Sequence, residues 1–70
     1  MNHSSVRAIV SHEVIKMIAG KHKMTLDMAM DAFYSSKTGT AFADDKTDLF
    51  SQSPIYIWSL FEEEIGKIGS

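Results

Sequence analysis

The sequence predicts an all-α fold: a small three-helix domain spanning residues 1–70, with one or two short helical turns between the second and third helices. Three observations carry this reading. Apolar residues recur at spacings of three and four in three separate segments, the period of an amphipathic helix. Capping residues stand at segment starts, Thr25 before the second and Ser53-Pro54 before the third. No stretch alternates long enough for a strand, and residues 38–42 are too few to make one.

The first helix is expected over about residues 5–19. Val6, Ile9, Val10, Val14, Met17 and Ile18 form a broad stripe, Ser4 or Ser5 is the candidate N-cap, and Gly20 is the candidate left-handed stop. Ile15 and Ala8 then fall on the far face with His12 and Lys16, a second apolar spot suited to a partner. The second helix is expected over about 26–36, capped by Thr25 and with Asp27 favourable to the dipole of its first turn. Leu26, Met28, Ala29, Met30, Ala32 and Phe33 make its apolar face, with Asp27, Asp31, Tyr34 and Ser35 opposite. It ends near Ser36, because residues 35–40 are poor helix formers and Gly39 is permissive.

Residues 37–53 mix turn chemistry at 44–48 with Ala41, Phe42, Leu49 and Phe50, which need burial. One or two single-turn helices anchored by Phe42 and Phe50 satisfy both demands. The third helix, about 54–67, has the clearest start, since proline suits the first helical position. Ile57, Trp58, Phe61, Ile65 and Ile68 line its stripe, Glu62 and Glu63 face solvent, and Gly66 and Gly69 fray its end. Glu64 leans toward the stripe, within reach of Lys21 or Lys23.

Composition narrows the function. At 70 residues with no cysteine, hydrophobic burial barely offsets the conformational entropy of ordering the chain. Self-association or a partner chain is therefore expected, and little chain is left to enclose a catalytic pocket. No apolar run approaches the length that spans a bilayer. Residues 1–5 lack the basic and apolar regions of a secretory signal, so a cytoplasmic location is expected. Charge is unevenly distributed: residues 1–24 carry four basic groups against one acidic, and residues 25–70 carry three against eight.

The chemical motifs fail on spacing. His12-Glu13-Val14-Ile15-Lys16 opens like a zinc-protease helix but puts Lys16 where the second histidine ligand must stand, and His3 and His22 complete no ligand set. Asp44-Asp45-Lys46-Thr47-Asp48 alternates like a calcium loop, yet Leu49 occupies the glycine position and Ile55 that of the bidentate glutamate. Helix capping by Asp45 or Thr47 is the better reading. In Ser36-Lys37-Thr38-Gly39-Thr40 the glycine follows the lysine, the reverse of a phosphate loop. Glu62, Glu63 and Glu64 are adjacent on a helix and point in different directions, as a solvated face does. No metal, cofactor or nucleophile is expected.

A helix-turn-helix layout of the first two helices would place Asp27, Asp31 and Tyr34 in the major groove, with no base-reading side chain from 24 to 36. Sequence-specific DNA binding is therefore not expected. Phosphate contact through Lys16, Lys21 and Lys23 is the alternative reading.

The stretch 24–64 carries Met24-Thr25-Leu26, Phe33-Tyr34-Ser35-Ser36-Lys37-Thr38, then Asp45, Thr47 and Leu49, and finally Ser53-Pro54-Ile55-Tyr56-Ile57. In this it resembles a group of short bacterial proteins of uncharacterised function with Phe-Tyr-x-Ser-x-Thr and Ser-Pro-x-Tyr-Ile segments. The resemblance implies a bacterial, cytosolic, mostly helical protein and brings no activity. The pattern suggests a hydrogen-bonded cluster of Tyr34, Ser36, Thr38, Asp45 and Ser53. The expected function is a non-enzymatic interaction module that binds a protein partner or its own copy as a homo-oligomer. Tyr34, Ile55, Tyr56 and Ile15 are the candidate contact residues, because aromatic and apolar groups off the core stripe suit an interface.

Overall fold

The structure, a computed structural model, describes the backbone of residues 4–69 and the side chains of residues 5–66. Roles expected of His3 and of the side chains of Ser4 and Ile68 lie outside the described residues, and Ser5 stands inside the first helix and is not its N-cap. The order is α1 (Ser4–His22), α2 (Leu26–Ser35), α3 (Lys37–Ala43), two 3-10 turns (Asp45–Thr47 and Leu49–Ser51) and α4 (Pro54–Gly69). The all-α class is correct. The helix count is not: four helices are present among the described residues, and the extra one is α3.

α1 runs three residues beyond its expected end. Gly20 keeps a helical backbone, and the left-handed residue is Lys23, with φ 54°. Met24 N–H donates to the Ala19 carbonyl at 3.0 Å, the long-range bond of a Schellman cap, while Met24 and Ala19 both pack on the core. The core face of α1 is also rotated from the expected one. Ser11, Val14, Ile15 and Ile18 are buried, whereas Val6 and Ile9 are exposed. Apolar residues lie nearly all round this helix, so its own pattern does not choose a face. α2, α4 and the second 3-10 turn pack against it and make the choice.

Thr25 caps α2 as expected, accepting from Met28 N–H at 3.1 Å. Only Ala29 and Phe33 of α2 are fully buried, so the apolar face is narrower than the sequence suggests, and Leu26, Met28 and Met30 face solvent. Ser53 caps α4 by accepting from Tyr56 N–H at 3.2 Å, and the helix passes through Gly66 to Gly69 without fraying there. Phe33 is the hub of the core. Its ring lies 5.6 Å from that of Phe42 and 6.1 Å from that of Phe61, both in angled contacts.

Ser36 creates the junction from which α3 starts. Its hydroxyl donates to the Phe33 carbonyl at 2.5 Å and accepts from Gly39 N–H at 3.0 Å, closing α2 and opening α3. Glu64 reaches over from α4 and accepts from Lys37 N–H, Thr38 N–H and the Thr38 hydroxyl at 2.8–2.9 Å. The first three amides of α3 therefore all have partners. Gly39 is a close-approach residue rather than a helix breaker. A Cβ there would stand 1.7 Å from the Phe33 carbonyl oxygen. The 3-10 turns follow; Asp44 rather than Asp45 caps the first, accepting from Lys46 N–H at 2.9 Å. The Thr47 hydroxyl donates to the Ala41 carbonyl of α3 at 2.5 Å and accepts from Leu49 N–H at 3.3 Å, the end-capping part expected of it. Phe42 and Phe50 anchor this stretch in the core, as expected.

Candidate interaction surface

α1 is the central exposed element, and a groove runs along each flank. On the α2 side, Ile15 and Ser11 form the floor while His12, Leu26, Met30 and Tyr34 form the walls. Leu26, Met30 and Tyr34 repeat every four residues, so they stand in one row along α2. Each is more than two-fifths exposed. On the other side, Glu13, Lys16 and Met17 of α1 face Ser53, Pro54 and Ile55 across an open groove. Ile55 is the most exposed large apolar side chain described, at 68%.

The expected contact residues separate on this surface. Tyr34, Ile55 and Tyr56 are exposed, as a contact role requires. Ile15 is not: at 4% exposure it belongs to the core and reaches the surface only as a groove floor, because the core face of α1 is rotated toward it. Leu26, Met30 and Ile9 enter in its place. Their exposure was not legible in the sequence, since a leucine or methionine on a helical stripe ordinarily reads as core.

Tyr34 lies outside the hydroxyl cluster that the sequence suggested. Its ring packs edge-on to Phe33 at 5.1 Å. Ser36 and Thr38 join Glu64 and the end of α2, Ser53 caps α4, and Asp45 pairs with Arg7 of α1. Three separate local roles replace one cluster.

The glutamates of α4 also divide. Glu62 is not solvated; it accepts from Lys21 at 3.1 Å and lies 2.8 Å from His22 Nε2, tying the end of α1 to α4. Burial pushes its carboxyl upward, but the hydrogen bonds from His22 and Lys21 outweigh this and hold it below the ordinary value. Glu64 behaves alike: burial raises its pKa, and the amides of Lys37 and Thr38 lower it further than that. The expected pairing of Glu64 with Lys21 or Lys23 is thus replaced by an amide cap.

The basic residues of the alternative reading are dispersed. Lys16 pairs with Glu13 at 3.4 Å, while Lys21 pairs with Glu62 and lies 5.3 Å over the Trp58 ring. The two project about 140° apart around α1. Lys23 is exposed in the turn beyond. Arg7, beside Asp45, sits 5.0 Å over the Phe50 ring, and its Nε and the Trp58 indole N–H are buried without a partner among the described residues. No group of three metal-ligating side chains forms among the described residues, and no helix of the described chain is long and apolar enough to cross a membrane. No protein-family model matches the chain, and no curated protein or solved structure shows significant similarity to it.

Proposed function

We propose that this chain is a non-enzymatic protein–protein interaction module, cytoplasmic and bacterial, serving as a small adaptor, regulator or antitoxin-like partner. The observation that carries the reading is the exposed row Leu26, Met30 and Tyr34 above Ile15. Such a row offers a partner helix apolar anchors at a regular spacing and one aromatic with a polar tip. Tyr34 within the row, with Ile55 and Tyr56 on α4, are the proposed contacts. Many of the groups that could do chemistry already have structural work: Glu62, Glu64, Ser36, Thr38 and Ser53 are engaged in caps and ion pairs.

Affinity capture of the tagged chain from its host's lysate, with and without nuclease, tests this. One protein recovered in near-stoichiometric amount, insensitive to nuclease and lost with Tyr34→Ala, is the expected result. Recovery of nucleic acid alone overturns it in favour of phosphate contact through Lys16, Lys21 and Lys23. Tyr34→Phe is expected to leave stability within about 0.5 kcal/mol, since surface changes away from buried networks have small effects.

A further inference from the structure

The outer face of α1 carries a pattern that the monomer does not use. Val6, Ile9, Glu13, Lys16 and Gly20 follow one another at spacings of three, four, three and four, the repeat of a helix–helix seam. All five are exposed, Ile9 at 66%. Gly20 is the least expected of them. It lies inside a helix, its φ is not positive, and a Cβ added there would meet nothing within 4 Å. A helical glycine costs about 1 kcal/mol relative to alanine, and no contact among the described residues calls for one here.

We propose that the occupant of this face is a second copy of the chain, with the two α1 helices packed antiparallel about a two-fold axis that runs between the helices at the level midway between Glu13 and Lys16. This registry brings Glu13 of each copy opposite Lys16 of the other, forming two ion pairs related by the axis. It also sets Ile9 over Gly20 of the other copy, a large side chain against the gap left by a missing one. A parallel pairing would put Glu13 against Glu13 and Lys16 against Lys16, so charge selects the antiparallel arrangement. Within one copy Glu13 and Lys16 form only an exposed intrahelical pair at 3.4 Å, which exchanges partners at little cost. The two-fold makes the interface isologous, so the flank bearing Met17 and Ile55 meets its own counterpart.

This assignment rests on the interaction-module reading and names the partner for one face of it. The test is the mass of the full chain by sedimentation equilibrium across a concentration series. The wild type is expected to reach twice the chain mass. Glu13→Lys and Lys16→Glu each place like charges across the axis and should raise the dimer dissociation constant about tenfold or more. The double exchange E13K/K16E restores antiparallel pairing only and should return the constant toward wild type. Circular dichroism of each variant confirms that the helices persist.

A monomeric mass at every concentration up to about 1 mM overturns the proposal. So does a dimer indifferent to both single changes, or a loss that the double exchange fails to restore. A monomer that still captures a partner through Tyr34 would sink the dimer alone. A dimer whose lysate capture returns only nucleic acid would sink the wider reading and leave the dimer standing.

Discussion

Gly39 shows how much can rest on one missing methyl group. α3 approaches the last turn of α2 so closely that any Cβ at this position would overlap the Phe33 carbonyl. Gly39→Ala must therefore push α3 outward, withdrawing Phe42 from the core and parting Thr38 from Glu64. A loss of at least about 3 kcal/mol is expected, on the scale of large core disruptions, and urea unfolding would measure it. Lys23 is the opposite case. It holds φ 54° at a position where glycine is the usual choice. Lys23→Gly is expected to raise stability by up to about 1 kcal/mol, relieving the left-handed strain of a side chain. Unchanged or lowered thermal stability would contradict that account.

At the scale of elements, α3 exists because two other segments complete it. Seven residues are too few for a helix to stand alone in water. Ser36 and Glu64 satisfy its first amides, while Phe42 anchors it beneath α2. Glu62 ties α4 to the end of α1 in the same manner. Both carboxyls have folded-state pKa values below the ordinary 4.5. The unfolded chain thus binds more protons as pH falls through that value, so this stabilisation is complete above it and is lost below it. Thermal melts between about pH 6 and pH 3 should show a falling midpoint, with a shallower fall in Glu64→Gln. A profile identical in the two proteins would remove Glu64 from the role assigned to it.

For the whole molecule, the balance between core and surface is the governing fact. Among the described residues, nine apolar side chains form the buried core, centred on Phe33. Eight other large apolar residues among those described stay exposed, Ile9, Met28 and Ile55 included. So much exposed apolar area suits a chain that completes its burial by association. If two copies meet through α1, folding and association are linked, and the melting temperature should rise with protein concentration. A melting temperature constant over a hundredfold range would indicate that each chain folds alone.

Several features were readable from residue order because the interactions behind them are local. Thr25 and Ser53-Pro54 mark helix starts through bonds that span three residues, and any chain containing them can form those bonds. Phe42 and Phe50 identify an anchored stretch because rings of that size need burial. The exposure of Tyr34 also followed from its place opposite the apolar face of α2. Ile55 and Tyr56, off the main stripe of α4, could equally have been covered by residues 37–50, and only the folded chain leaves them exposed. The core face of α1 was not readable, because Val6, Ile9, Val14, Ile15 and Ile18 leave no single apolar side, and only the packing of α2 and α4 chooses among them. Nor was α3, whose amide partner Glu64 lies more than 25 residues away in sequence. The sequence by itself determined where helices begin and which rings must be covered, since those depend on neighbours along the chain. Tertiary structure alone decided which face is core, which glutamates are tethers and which glycine is indispensable, because each depends on groups that only folding brings together.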